Sequence, residues 1–460
     1  MEDLEEAISV ARQAITATPL DHPDQPAWLD NLGLRLGDRY SRTGALEDLE
    51  EAIDVTRQAI TATPLDHPDR PRRLNNLGLR LGDRFSRTGA LEDLEEAIDV
   101  TRQAITATPL DHPDRPRRLN NLGLRLGDRF SRTGALEDLE EAIGVARQAI
   151  TATPLDHPDR PRWLNRLGLR LDNRFSRTGA LEDLEEAISV ARQAITAISL
   201  DHPDRPAWLN HLGLRLADRF LRTGAMEDLE EAIDVARQAI MATPLDHPDR
   251  PLRLNCLRFV LGVRFSRTGS LEDLEASIGV ARQAIKATPL DHPDRPEWLY
   301  DLGLRLGDRF SRTGALEDLE EAISVARQAI TAISLDHPDR PAWLNHLGLR
   351  LADRFLRTGA MEDLEEAIDV ARQAITATPL DHPDRPRRLN CLGFVLGVHL
   401  SRTGALEDLE EAIGVARQAI KATPLDHPDR PEWLTWKRPL SWPDKLSRRL
   451  PSITPIDRDG

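Results

Sequence analysis

The chain has 460 residues, of which 30% are charged; the formal net charge is −16 and there are two cysteines. That balance argues against a protein built to wrap nucleic acid, because such proteins gather basic charge on one face. Cys256 and Cys391 sit at equivalent points of a repeat, far apart in the chain, which argues against a disulfide framework and reads as a reducing, cytoplasmic setting.

The first residues, MEDLEEAISVARQ, are acidic and amphipathic, so they do not form a secretory leader. No apolar run approaches the ~20 residues of a membrane span. From Gly44 onward a single 45-residue unit is tiled: residues 89–133 repeat residues 44–88 letter for letter. A longer period overlies it, since the segment that begins at Ala197 returns at Ala332. A fixed period of this size marks a solenoid or a propeller. Period-2 runs are absent and β-branched residues sparse, which argues against the propeller.

Each unit reads as two helices. In the second unit Leu74, Leu77, Leu81 and Phe85 form one helical stripe. Gly78 lies in that stripe and would let a neighbouring helix approach. Pro71 suits a first helical turn and Gly89 a left-handed stop. The second helix buries Leu91, Leu94, Ala97, Ile98, Thr101, Ala104 and Ile105. Glu92, Asp93, Glu95 and Glu96 crowd its start, where they complement the helix dipole. Pro109 ends it; where Ile198-Ser199 and Ile333-Ser334 replace Thr-Pro, the helix is expected to run longer. One hairpin cannot bury both apolar faces, so hairpins must stack. The expected fold is all-α, with ten second helices and nine intact first helices over residues 1–434. A Pro-rich irregular tail follows over 435–460. Both ends read as incomplete, which suggests a fragment of a longer protein; Trp436, Leu440 and Trp442 could instead fold back as a cap.

These residues resemble the tetratricopeptide repeat. Leu74, Leu77-Gly78 and Leu81 match the signature of its first helix, and Ala97, Ala104 and Pro109 that of its second. DHPD shortly before LNNLG is similar to the kinesin-light-chain type. The 45-residue variant with EDLEEAI is similar to fungal arrays joined to caspase-like CHAT domains or NLR-like nucleotide-binding switches. The resemblance implies a right-handed α-α superhelix of about ten hairpins, a solenoid that binds protein or peptide and performs no chemistry. Arg258 departs from it, standing where other units carry the packing glycine.

DHPD occurs ten times, and Asp66, His67 and Asp69 invite a metal. Two histidine nitrogens on one zinc lie within roughly 4 Å, whereas equivalent loops are at least a helix spacing of about 8–10 Å apart. His67 and His112 therefore do not share an ion. The simpler expectation is a joint in which Asp66 or Asp69 accepts backbone N–H groups at the helix start. Cys256 and Cys391 lie inside helices without the His and Asn or Asp of a thiolate mechanism. There is no Gly-rich phosphate loop and no G-x-S-x-G. No catalytic residue, metal or cofactor is expected.

Opposite the core stripe, Asn76, Arg80, Asp83 and Arg87 follow helical spacing. The resemblance places this helix along a concave groove, where asparagines grip a ligand's backbone. Asn75, Asn76, Asn120 and Asn121 are the candidates. Their equivalents are Asn165, Arg166, Asn210, His211, Asn255, Cys256, Asn345, His346, Asn390 and Cys391. Twice the stripe turns apolar: Cys256, Val260 and Val263, then Cys391, Val395 and Val398, with Phe259 and Phe394 adjoining. Such stripes are either exposed binding patches or local repacking against the next unit. The expected function is a non-enzymatic interaction scaffold for protein or peptide, with no nucleic acid or membrane partner and no oligomeric state assigned. The alternative is the sensor arm of a larger fungal CHAT-protease-like or NLR-like receptor.

Overall fold

The computed structural model describes residues 2–19 and 22–422; among them are 19 helices and no strand. None of these helices is long and apolar enough to cross a membrane. Packing gathers the chain into two compact units, residues 1–228 and 229–460. The first holds α1 (Glu2–Thr16), α2 (Gln25–Thr43), α3 (Leu46–Thr61), α4 (Arg70–Thr88), α5 (Leu91–Thr106), α6 (Arg115–Thr133), α7 (Leu136–Thr151), α8 (Arg160–Thr178), α9 (Leu181–Thr196) and α10 (Arg205–Thr223). The division falls within α11 (Met226–Met241). The second unit continues with α12 (Arg250–Thr268), α13 (Leu271–Ala287), α14 (Arg295–Thr313), α15 (Leu316–Thr331), α16 (Arg340–Thr358), α17 (Met361–Thr376), α18 (Arg385–Thr403) and α19 (Leu406–Lys421). The expected boundary at 434 and the cap residues Trp436, Leu440 and Trp442 lie outside the described residues.

Even-numbered helices are the first, or A, helices and odd-numbered ones the second, or B, helices. From α2 to α9 and again from α12 to α19, each A helix packs most closely on the B helix that follows it, and the B helices from α1 to α9 and from α13 to α17 each pack on the next A helix. The described residues hold ten B helices and nine A helices, as the periodicity predicts.

Three local devices build a hairpin. Gly89 takes φ +71°, a left-handed value that side chains resist, and its N–H closes on the Phe85 carbonyl at 2.7 Å. Across that turn, Arg84 grips Asp93 through Nε–Oδ2 and Nη2–Oδ1 contacts of 2.8 and 2.5 Å. The bidentate pair fixes the angle between the helices and places a carboxylate in the first turn of α5. Inside the hairpin, Leu74, Leu77, Leu81, Leu94, Ala97 and Ile98 are buried. Truncating one such leucine to alanine costs about 2–5 kcal/mol.

The bare Cα of Gly78 lets α4 lie close on Thr101 and Ala97 of α5. Arg258, which breaks this pattern, is accommodated because Ala281 stands where α5 has Thr101. Its side chain runs sideways, donating to Asn255 at 2.7 Å and pairing with Asp301 at 2.7 Å. Ser277, in the place of Ala97, donates its hydroxyl to the Arg258 carbonyl at 3.1 Å.

Consecutive B helices are joined by a second arginine. Arg57 of α3 meets Glu96 of α5 through Nε–Oε1 at 3.2 Å and Nη2–Oε2 at 2.6 Å. The acidic residues at each B-helix start thus bind specific arginines as well as favouring the dipole. Where Ala276 replaces this glutamate, Arg237 has no counterpart of the bridge.

The B helices that precede Ile-Ser do not run longer: α9 and α15 stop at Thr196 and Thr331, in register with α5. The stop is set elsewhere. Arg70 donates to the Ile60 and Thr63 carbonyls at 2.8 and 2.7 Å, covering the open end of α3. Arg205 and Arg340 do the same to the Ile195 and Ile330 carbonyls at 2.8 Å, without needing the proline.

Candidate functional site

The DHPD loop joins one hairpin to the next. The His67 N–H donates to the Pro64 carbonyl at 3.1 Å, and the Arg70 N–H to the His67 carbonyl at 2.9 Å. The ring is engaged as well: the Asp69 N–H donates to His67 Nδ1 at 3.1 Å. That nitrogen therefore accepts, which places the ring proton on Nε2. The expected aspartate cap is corrected by this contact: Asp69 makes no side-chain cap bond, and its carboxylate instead lies 3.8 Å from Arg72 and Arg73. In five units of the described residues a tryptophan stands in the place of Arg73; the loop histidine stacks on it in three, with His157 and Trp163 ring centroids 5.3 Å apart, and lies tilted against it in the other two. Where the residue is arginine, as at Arg73, its buried guanidinium bonds the Thr63 hydroxyl. Among the described residues no group of three His, Cys, Asp or Glu side chains is placed to hold a metal ion.

The expected groove asparagines fall into two sets. Asn75, Asn120, Asn165, Asn210 and Asn345 are buried, Asn75 to 3% exposure. Asn255 and Asn390 are half-buried, and Asn255 accepts from Arg258. In three units the residue after the asparagine reaches back to the previous A helix. Asn76 donates to Asp30 at 3.2 Å, Asn121 to Asn75 at 3.0 Å, and Arg166 to Asn120 at 3.0 Å. Asn75 and Asn120 therefore act as rungs between A helices, their amide oxygens engaged by Asn121 and Arg166. His346 sits at the same register, its ring edge-on to Tyr300 at 5.3 Å. Burial, with Arg350 and Arg387 nearby, holds it down to about 4.

The apolar stripes are not exposed patches. Cys256, Val260, Cys391, Val395 and Val398 are buried and Val263 is half-buried. Burial pushes the Cys256 thiol up to about 12 and raises Cys391. The reason is a matched pairing of A helices. Arg80 lies over Gly37, Arg125 over Gly82, Arg170 over Gly127, Arg305 near Gly262 and Arg350 over Gly307. Where Asp172 takes the glycine position, Arg215 pairs with it at 3.4 Å. Where Ala352 takes it, the next helix brings Val395, and both join one apolar cluster. A large side chain thus follows a bare backbone, and a smaller one follows a methyl group.

The face that remains open is rotated from the expected stripe, because Arg80 is turned onto the neighbouring helix. Helical phase aligns Arg72, Leu79 and Asp83 at positions i, i+7 and i+11, opposite the core. Leu79 and Leu124 are half-buried there. The first member changes most: Arg72, Arg117, Arg162, Ala207, Leu252, Glu297, Ala342 and Arg387. Of these, Arg117, Arg162, Leu252, Glu297 and Arg387 are exposed. None was among the candidates drawn from the sequence; the signal was the seven-residue offset from Leu79.

A family model described as "Tetratricopeptide repeat" matches residues 27–69, 72–114, 117–159, 162–204, 207–249, 297–339 and 342–384, well over half of the chain. Each matched segment takes in most of an A helix, its B helix and the following loop. The units that open with α12 and α18, which carry the Cys–Val stripes, are not among them. No curated protein matches the chain. Among solved structures, the C-terminal part of a TPR repeat-containing protein from Cytophaga hutchinsonii aligns at 12% identity and TM-score 0.45, covering 69% of this chain and 99% of that one. A Podosopora anserina putative kinesin light chain with nearly identical TPR-like repeats aligns at 19% identity and TM-score 0.34, covering 46% and 96%. BtubC (BKLC) from P. vanneervenii aligns at 15% identity and TM-score 0.37, covering 52% and 90%.

Proposed function

Because the chain belongs to the tetratricopeptide repeat family, we propose that it is a non-enzymatic interaction scaffold of the cytoplasm that takes a peptide or protein segment on the open face of its A helices. One observation carries this reading. Cores, turns and loops are nearly constant from unit to unit, while the outward row from Arg72 to Arg387 changes in charge, size and polarity. Positions between the A helices vary too, from Asn76 to Cys391 and from Arg80 to Val395, but there the changes match a neighbouring helix; variation on an open face, which no neighbour matches, is what a binding surface on a repeat array requires. The buried thiols and the occupied loop histidines supply no nucleophile or base poised for catalysis. The reading as a sensor arm of a larger receptor rests on repeat resemblance alone and gains no support from the fold or the comparisons.

The test is affinity capture from the native organism with wild-type protein, an open-face variant carrying Arg117→Glu and Leu124→Asp, and an outer-face control carrying Asp54→Lys and Asp99→Lys. The open-face variant should lose specific partners that the control retains. Loss in the control alone would falsify the assignment.

A further inference from the structure

The loops that join one hairpin to the next each hold a leucine in water. Leu65, Leu110, Leu155 and Leu200 of residues 1–228 are 81–83% exposed, and residues 229–460 carry a second such set of four, from Leu245 to Leu380. A single exposed leucine is ordinary on a protein surface. One at the same point of successive loops makes a row, and grouped apolar side chains mark contact surfaces.

The loop itself has no use for this side chain. The His67 N–H closes on the Pro64 carbonyl, which makes Leu65 and Asp66 the central residues of a tight turn. Such turns draw on Pro, Gly, Asn, Asp and Ser, and leucine contributes nothing to that chemistry. The same bond closes the turns at His112, His157 and His202, at 3.2 Å each. Each turn is braced from behind by the histidine ring, which accepts the N–H of Asp69, Asp114, Asp159 or Asp204 at 3.1–3.2 Å. The leucines are thus displayed on supports already ordered, which lowers the cost of binding. Beside each stands an exposed carboxylate, Asp66, Asp111, Asp156 or Asp201, none of which forms an ion pair among the described residues. The nearby Arg70 is turned inward onto the Ile60 and Thr63 carbonyls, and Arg72 and Arg73 face Asp69.

Within residues 1–228 the same bridge joins successive B helices, Arg57 to Glu96, Arg102 to Glu141 and Arg147 to Glu186. Successive turns therefore follow one another along one edge. Neighbouring A helices touch, Asn121 bonding Asn75, so the step from turn to turn is a helix spacing, about 8–10 Å. An α-helix returns residues i and i+7 to one face with a rise of about 10 Å. An extended strand covers a similar distance in three residues, but its side chains alternate, and the third points away.

Separately from the open-face reading, we propose that the loop edge of residues 1–228 docks an amphipathic helix of a partner protein. Its apolar residues, seven apart, meet Leu65, Leu110, Leu155 and Leu200, and basic residues beside them meet the turn aspartates. A second copy of this chain would set aspartate against aspartate. A bilayer would draw the same carboxylates into its interface, where anionic headgroups repel them.

The probe is a synthetic four-heptad peptide with leucine at every seventh position, lysine on either side of it and alanine elsewhere. Its binding to the full chain is read by fluorescence anisotropy against a peptide of the same composition in scrambled order. The variants are L110Q/L155Q, D111N/D156N and the open-face R117E/L124D; the first two change exposed turn tips and should melt as wild type does. The heptad peptide should bind, lose about tenfold in affinity to the leucine variant, and weaken as salt rises, less steeply in the aspartate variant. The open-face variant should bind it as wild type does. No binding of the heptad peptide, equal binding of the scrambled one, unchanged affinity in the leucine variant, or loss confined to the open-face variant overturns the proposal. So does binding to neutral phosphatidylcholine vesicles, or self-association in sedimentation, that the leucine variant abolishes. Each of these outcomes leaves the open-face reading standing, since its test rests on other residues.

Discussion

Thr101 closes directly over Gly78. Its hydroxyl is tied to the Ala97 carbonyl at 2.7 Å, and a Cβ on Gly78 would overlap that hydroxyl and come 3.2 Å from the Ala97 oxygen. Thr101 is β-branched, and turning its hydroxyl aside would give up its bond to the Ala97 carbonyl. At Gly123 the facing residue is Ala146, and the nearest atoms to a Cβ are Val145 Cγ2 at 3.3 Å and the Ala142 carbonyl at 3.5 Å.

Gly78→Ala should therefore loosen the α4–α5 hairpin by about 1–3 kcal/mol, overpacking outweighing the gain of about 1 kcal/mol in helix propensity. Gly123→Ala should be neutral or stabilising. Adding Thr101→Ala to Gly78→Ala should restore the hairpin. Amide exchange of α4 and α5 is the suitable measurement, because a repeat array need not unfold in one step. Equal effects at both glycines would contradict this account.

The stripes of leucine and alanine were readable because helical periodicity depends on neighbours within one helix, and the constant 45-residue spacing exposed the tiling. The open face was less readable. It depends on where the neighbouring A helix lies, which puts Arg80 over Gly37. Asn75 looked like a ligand clamp for the same reason: its partner, Asn121, is a whole unit away in sequence. The apolar run of Cys391, Val395 and Val398 read equally as an exposed patch or as local repacking, and Ala352 in the cluster of Val395 and Val398 decides for repacking. The cap by His67 was missed because aspartate is the commoner choice at a helix start, and only the loop geometry brings Nδ1 to the Asp69 N–H.

The loop histidines should behave as fasteners. His157→Ala removes the stack on Trp163 and the acceptor for the Asp159 N–H, the latter at 3.1 Å. Together these should cost about 1–2 kcal/mol locally. His67→Ala removes the acceptor alone, since its unit carries Arg73, and should cost less. Neither EDTA nor added Zn2+ should shift the melting of the wild type. A rise of several degrees with Zn2+, abolished by the histidine variants, would show that the loops bind metal.

His346 gives the second unit an acid-sensitive point. Its folded pKa is held down to about 4 by burial and by Arg350 and Arg387, against an ordinary value near 6.5. Between those two values the unfolded chain binds a proton that the folded one refuses, so stability falls as pH drops from about 6.5 towards 4. His346→Asn, which supplies the residue found at Asn76, should flatten the decline in melting temperature between pH 7.5 and 5. The same slope in variant and wild type would mean that His346 is not held neutral.

The two thiols offer a reporter for one unit only. Both cysteines lie in residues 229–460 and are buried, and burial raises both thiols, Cys256 to about 12. Access and thiolate fraction are then both low, and these set the rate of modification. At pH 8 a disulfide reagent should label neither residue on the timescale of a free thiol. Labelling should appear at the denaturant concentration that unfolds α12 or α18, while residues 1–228, which contain no cysteine, stay silent whatever their state. Mass spectrometry of partly labelled protein separates Cys256 from Cys391. If either reacts at the free-thiol rate in native buffer, its helix is not packed as described, and the pairing of Val395 with Ala352 would have to be abandoned first for Cys391.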